Sequence, residues 1–220
     1  GDVVFTVNGR KRSYVIHAKT SDEAAKWTSA IQDVIDTKLT IDTPFAKLMV
    51  EVKNAHDSEE VDKLYQRNPI LRYTKLALRV PLLALPYGHS QSIRAKDKGY
   101  GTFHEEAIRI FSSLQEQESV ADPIPVIQGI LQTCHDLKPL RDEVFCQLLK
   151  QTTTVPDIDS IGNLKNWQVL VCMCCTFIPS RKILRYLRSH LRRSRDKYPD
   201  TEMAKFATFC LECIKRTRPR

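Results

Sequence analysis

From Thr43 onward, helix-start signals recur along the chain while strand signals all but vanish, and this restricts the fold more than any other feature. Thr43 stands directly before Pro44, which places an N-cap ahead of a proline in the first turn. Thr102 precedes Glu105 at the capping-box offset, where each side chain can satisfy the other residue's backbone N–H. Asp122 precedes Pro123, and Ser180, just after Pro179, is expected to cap a strongly basic run. Helices are predicted over 45–55, 58–67, 102–118, 123–136, 139–152, 161–177, 180–197 and 202–216. The exception is the stretch from Asn68 to Gly101, rich in proline and glycine. Its Leu76, Leu78, Val80, Leu82, Leu83 and Leu85 make it too apolar for a free loop, so it should pack across the bundle with helical fragments. The run Val80–Leu85 is the one strand-like piece after residue 40.

The first 36 residues differ in kind. Val3, Phe5 and Val7, then Tyr14 and Ile16, alternate with the period of half-buried strands, and Asn8-Gly9 between them is a hairpin-turn signal. Thr20 and Glu23 have capping-box spacing, followed by Ala24, Trp27, Ile31 and Val34 at helical intervals. Two strands and a helix are too little for a domain. The predicted class is therefore all-α, a multi-helix bundle preceded by a β-hairpin plus helix. Gly1 and Arg220 read as cut points in a longer chain, with no signal peptide or membrane span between them.

The seven cysteines are an odd number and lie in apolar helical stretches, which points to reduced core residues in a cytosolic setting rather than a disulfide framework. Cys210-Glu-Leu-Cys213 has the spacing of a metal or redox pair, but it sits on one helix with no second pair at ligand spacing, so it reads as core. The six histidines are scattered, and no glycine-rich phosphate loop or nucleophile elbow is present, so no catalytic residue, metal or cofactor is assigned and the chain is not read as an enzyme. His135-Asp136 reads as a helix-end pair and His104 as an exposed first-turn residue, while Trp167, Phe177, Phe206 and Phe209 read as core.

Charge is distributed unevenly. Residues 178–220 hold 13 Lys and Arg against 4 Asp and Glu, whereas the other 177 residues hold 21 against 22. Within this tail, Arg181, Arg185, Arg188, Arg192 and Arg195 are spaced four, three, four and three apart, which gathers them into a stripe about 80° wide on a helix. Ile183, Leu184, Leu187 and Leu191 fall on a separate face and should anchor the helix to the bundle. Lys182, Arg193 and Lys197 broaden the basic surface, and only Asp196 borders it. Like charges four apart repel by roughly 0.2–0.5 kcal/mol a pair, so such a stripe is unusual for a merely solvated face. It suits an acidic partner, since the arginine fork takes carboxylates and phosphates alike. Internal neutralisation by acids from other helices stays open at this level. Nucleic acid is disfavoured because no aromatic residue interleaves the stripe.

Several stretches resemble a myosin tail homology 4 domain: Asn68-Pro-Ile-Leu-Arg-Tyr73, Leu85-Pro-Tyr-Gly88, Asp122-Pro-Ile-Pro125, Leu140-Arg-Asp-Glu143, Glu143-Val-Phe-Cys-Gln147-Leu-Leu-Lys150-Gln-Thr152, and Asn166-Trp167 followed by Phe177-Ile-Pro-Ser180. The N-terminal hairpin and helix resemble the closing piece of a pleckstrin homology domain, with Trp27 at the position of that family's helix tryptophan. The division implied is 1–36 pleckstrin fragment, 37–44 linker and 45–220 helical domain. The lipid-binding strands of pleckstrin domains have no counterpart here, so Arg10, Lys11, Arg12 and Lys19 are given no lipid site. The wording is most similar to tails of the myosin X type. This resemblance implies a non-catalytic tail module of an unconventional motor, cytoplasmic and cytoskeleton-associated, in filopodia if the myosin X likeness holds. It further implies microtubule binding through acidic tubulin tails, a following FERM domain, and membrane-receptor or adhesion cargo carried by the tandem. Arg185 and Arg188 match basic positions of the family's corresponding helix. The alternative is a purely structural brace for the FERM domain with no polyanion binding.

Overall fold

In the computed structural model, residues 2–8, 12–39, 43–86 and 98–216 are described. The Gly9 part of the expected turn, Arg10 and Lys11, residues 40–42 of the linker, the Tyr87-Gly88 end of the Leu85 motif and His89 lie outside them.

Strands β1 (Val3–Asn8) and β2 (Ser13–Ala18) form an antiparallel hairpin with Val3 opposite Ala18, Phe5 opposite Ile16 and Val7 opposite Tyr14. That register puts the alternating apolar residues on one face, as the period-2 pattern requires. Helix α1 (Ser21–Leu39) packs on both strands. At its start the Glu23 N–H donates to Thr20 Oγ1 (3.2 Å), while the Glu23 carboxylate accepts from the Lys19 N–H (2.9 Å) rather than from Thr20 as a capping box would have it. The expected apolar stripe of α1 is largely open: Ala24 is buried, but Trp27 is 56% and Val34 64% exposed.

The remaining helices are α2 (Pro44–Asn54), α3 (Ser58–Arg67), α4 (Phe103–Gln115), α5 (Ile124–Asp136), α6 (Leu140–Gln151), α7 (Ile161–Thr176), α8 (Arg181–Lys197) and α9 (Glu202–Arg216), with short 3-10 turns at Pro69–Leu71 and Gln117–Ser119. Among the described residues no strand follows Ala18. The caps act where the sequence places them: Thr43 accepts from the Ala46 N–H (3.1 Å), and Thr102 and Glu105 form the reciprocal box. Ser180 is the exception. It occupies the N-cap position of α8, but its side chain caps nothing; its own N–H donates to Asp142 Oδ1 (2.8 Å) and ties α8 to the start of α6.

Helix α6 sits at the centre, against α4, α5, α7 and α8. From Glu143 to Gln151 every residue is buried, including Glu143, Gln147, Lys150 and Gln151. A helix buried on all sides has no apolar stripe to reveal it. Its polar side chains find partners in the irregular strap 68–86. Glu143 accepts the N–H groups of Leu82 (2.9 Å) and Leu83 (2.7 Å). Lys150 Nζ donates to the carbonyls of Pro69 (3.2 Å), Ile70 (2.9 Å) and Arg72 (2.6 Å). Gln151 accepts from the Thr74 N–H (3.1 Å) and donates to its carbonyl (3.0 Å), and the Tyr73 N–H reaches the Thr153 carbonyl (3.0 Å). Beyond the 3-10 turn at Pro69–Leu71 the described strap has neither helix nor ladder, so its backbone must be satisfied elsewhere, and α6 supplies complements. The strap packs across the bundle as expected, burying Leu71, Leu82, Leu83 and Leu85, but Leu76 and Val80 point outward. Lys150→Met should cost about 3 kcal/mol in urea denaturation, because the Ile70 and Arg72 carbonyls lose the ammonium and the Pro69 carbonyl keeps only the Arg72 N–H (3.1 Å).

Trp167 and Phe177 are buried and Phe206 packs against the core, but Phe209 is 44% exposed and does not belong to it. Of the cysteines, Cys134, Cys146, Cys174, Cys210 and Cys213 are buried, Cys172 is half-buried, and Cys175 lies at the surface. No described helix is long and apolar enough to cross a membrane.

Candidate protein-interaction surface

Helix α8 anchors itself through Ile183, Tyr186, Leu187, His190, Leu191 and Ser194, all buried. Three of the four apolar residues named from periodicity are among them, and Leu184 is partly buried. Tyr186 meets Phe45 of α2 edge-on (centroids 6.4 Å apart). His190 stacks on Trp167 of α7 (5.6 Å) and bonds Thr152 through Nε2 (2.9 Å). Periodicity missed the buried Tyr186, His190 and Ser194 because a polar tip hides a core position until its partner is known. After Tyr198, Asp200 adopts a left-handed conformation (φ 64) that turns the chain into α9, whose first turn is held by Thr201 accepting from the Ala204 N–H (3.2 Å).

With that face fixed, the opposite face meets water. Arg181, Arg185 and Arg192 are exposed, and Arg181 and Arg185 form no ion pair among the described residues. Arg192 lies near enough to Asp196 to help hold its carboxyl below the usual range, an effect owed first to Arg195. Arg188 is half-buried and engaged in an interaction of its own. Arg195 is half-buried and its Nε bonds the Asp196 carboxylate (2.7 Å). Lys182 is half-buried at the first turn.

Two supporting residues are drawn away from the stripe. Arg193 bonds Asp62 and Ser58 Oγ (2.7 Å) of α3 and lies over the Tyr65 ring (5.6 Å). Lys197 reaches Asp62 at 3.4 Å. Arg193 therefore joins α8 to α3 instead of broadening the basic surface, because it sits on the flank that faces Asp62. The helix dipole separates the rest: Arg195 and Lys197 suit the C-terminal turn, whereas Arg181 and Lys182 crowd the positive N-terminal end, where the first turn holds no acid of its own and the Asp142 carboxylate of α6, on the Ser180 N–H, supplies the negative charge.

Other candidate groups resolve as structural. Asp136 at the end of α5 accepts from Lys98 (2.8 Å), Tyr100 (2.9 Å) and Gln132 (3.1 Å), with His135 at 3.3 Å, and these bonds, led by Lys98, hold its carboxyl well below the usual range. His104 is half-buried rather than exposed. Among the described residues no three His, Cys, Asp or Glu side chains gather as a metal site.

Residues 127–220, from α5 to the end of the chain, match the MyTH4 domain model. The chain is 41% identical over 222 residues to the human pleckstrin homology domain-containing family H member 3, covering 98% of this chain and 28% of that protein. The mouse protein of the same name is 40% identical with 98% and 27% covered. The chain thus spans little more than a quarter of the length of these relatives. They are pleckstrin homology domain-containing proteins, rather than the myosin X tail that the sequence wording implied. Among solved structures, the Dictyostelium discoideum myosin VII MyTH4-FERM MF1 domain superposes with a TM-score of 0.53 at 25% identity, covering 71% of this chain and 30% of that one. The MF2 domain of the same myosin shares the fold, with a TM-score of 0.55 at 18% identity over 81% of this chain and 36% of that one. Residues 127–220 thus carry the MyTH4 match, and the helical bundle shares the fold of the myosin VII MyTH4-FERM structures.

Proposed function

We propose that this chain is a non-catalytic interaction module that binds microtubules through the acidic tails of tubulin, using the arginine stripe of α8. The observation that carries the reading is the exposure of Arg181, Arg185 and Arg192 on the face opposite a fully buried anchor. Exposed arginines on a rigid helix reach a flexible acidic tail without reorganising, and attraction across several such charges is long-ranged and salt-sensitive. Residues 1–36 are the closing piece of a pleckstrin homology domain, a reading supported by the printed name of the relatives, and 37–44 link it to the MyTH4 domain at 45–220. The MyTH4-FERM neighbours support an adjacent FERM domain in the parent protein, with which the module recruits membrane-receptor or adhesion cargo in a cytoplasmic, cytoskeleton-associated setting.

The test is microtubule co-sedimentation of the chain and its Arg181→Asp/Arg185→Asp/Arg192→Asp variant at low and physiological salt, with intact and tail-cleaved tubulin. Affinity should fall at least tenfold in the variant and with tail removal, while stability stays within about 0.5 kcal/mol, as at exposed positions. Equal binding by the variant, or none by either protein at low salt, would return the module to a structural brace for the FERM domain.

A further inference from the structure

Helices α7 and α9 lie side by side and present facing thiols in two layers. In the inner layer Cys174 meets Cys210, both buried. In the outer layer Cys175 meets Cys213 with their sulfurs 3.3 Å apart. Cys175 is exposed, and Cys213 is 8% exposed. A disulfide requires the sulfurs to close by a further ~1.3 Å, which side-chain rotation with a slight helix adjustment supplies. The described sulfurs do not assemble three ligands around a metal, so the pair stands as a dithiol.

We propose that Cys175 and Cys213 are an oxidisable pair whose disulfide staples α7 to α9 and encloses the whole of α8 in a covalent loop. The oxidant is a low-molecular-weight disulfide such as oxidised glutathione, which reaches Cys175 from solvent. Cys175 loses its proton and attacks one glutathione sulfur, giving a mixed disulfide and one reduced glutathione. Cys213, deprotonated in turn, attacks the Cys175 sulfur and releases the second. Two thiols are oxidised and one glutathione disulfide is reduced to two thiols, with the two protons passing to the departing thiolates. Burial, followed by the neighbouring Cys213 thiol, pushes the Cys175 thiol up to about 12, so exchange is slow at neutral pH and accelerates as pH rises. The inner pair is shielded from the oxidant, and Cys172 is half-buried beside Cys210.

The bond would join residues 38 positions apart, and closing a loop of that size should raise the melting temperature by about 10 °C. The experiment incubates the chain in oxidised and reduced glutathione mixtures, maps peptides without reduction and melts each product. A Cys175–Cys213 linkage with a raised melting temperature, lost in Cys175→Ser and kept in Cys172→Ser, is the expected result. A mixed disulfide at Cys175 that never passes to Cys213, a linkage to Cys172 instead, or a linked form that melts no higher than the reduced protein would overturn the proposal. The reduced Cys175→Ser protein should melt with the reduced wild type, since the altered side chain is at the surface.

Discussion

Glu143→Ala should destabilise the protein by about 4 kcal/mol, read as a fall in the urea midpoint. The carboxylate is fully buried and is the acceptor for the Leu82 and Leu83 N–H groups, and it also accepts from Gln147 Nε2 (2.9 Å). Removing it leaves two buried backbone donors without partners and a void beneath the strap. Gln147 keeps its bond to the Ala107 carbonyl (2.9 Å), so the damage is confined to the strap side. Glu143→Gln retains one acceptor oxygen and should lose roughly half as much. An alanine variant within 1 kcal/mol of wild type would mean that Glu143 does not hold the strap.

Acid should unfold the protein through His190. Burial pushes this imidazole down to about 3, with Arg193 adding to the effect. In the unfolded chain the group titrates near 6.5. Between these values the unfolded state holds a proton that the folded state does not, so stability is full above about 6.5 and is lost as pH falls toward 3. The whole window represents on the order of 5 kcal/mol, enough to unfold a domain of ordinary stability before its lower end is reached. Urea midpoints between pH 7 and 4 should fall steeply in wild type and much less in His190→Gln. Glu143 acts with the opposite sign. Burial raises its carboxyl above the ordinary 4.5, so the folded state retains that proton longer and this group's contribution declines as pH rises above 4.5. The two variants should therefore change the pH slope in opposite directions, and parallel slopes would count against both assignments.

The helices were legible because their ends carry local chemistry: Thr43 before Pro44, Thr102 with Glu105, and the alternating faces of α8 all act within a few residues. The strap was legible only as something too apolar to be free. Its anchors are Glu143, Lys150 and Gln151, which by composition belong on a surface, and their partners lie 60 to 81 residues away. Nothing local distinguishes a buried carboxylate serving a remote backbone from a solvated one. The same blindness to distant partners put Phe209 in the core and Arg193 on the basic face, since neither the open flank of α9 nor Asp62 on α3 is visible from the helix itself. The buried residues of α8 fix which way its arginines face: Arg181, Arg185 and Arg192 are exposed, whereas Arg188 and Arg195 are half-buried and engaged.

The lacing of the strap onto α6 also orders events in time. Its backbone bonds join partners separated by most of the helical domain's first half, so loop-closure entropy must be spent before any of them forms. Helices α7, α8 and α9, linked by short turns and in contact with one another, can nucleate first and offer α6 a surface to dock on. The strap then closes last. Its contacts would be absent from the folding transition state, and weakening them would accelerate unfolding while leaving the folding rate nearly unchanged.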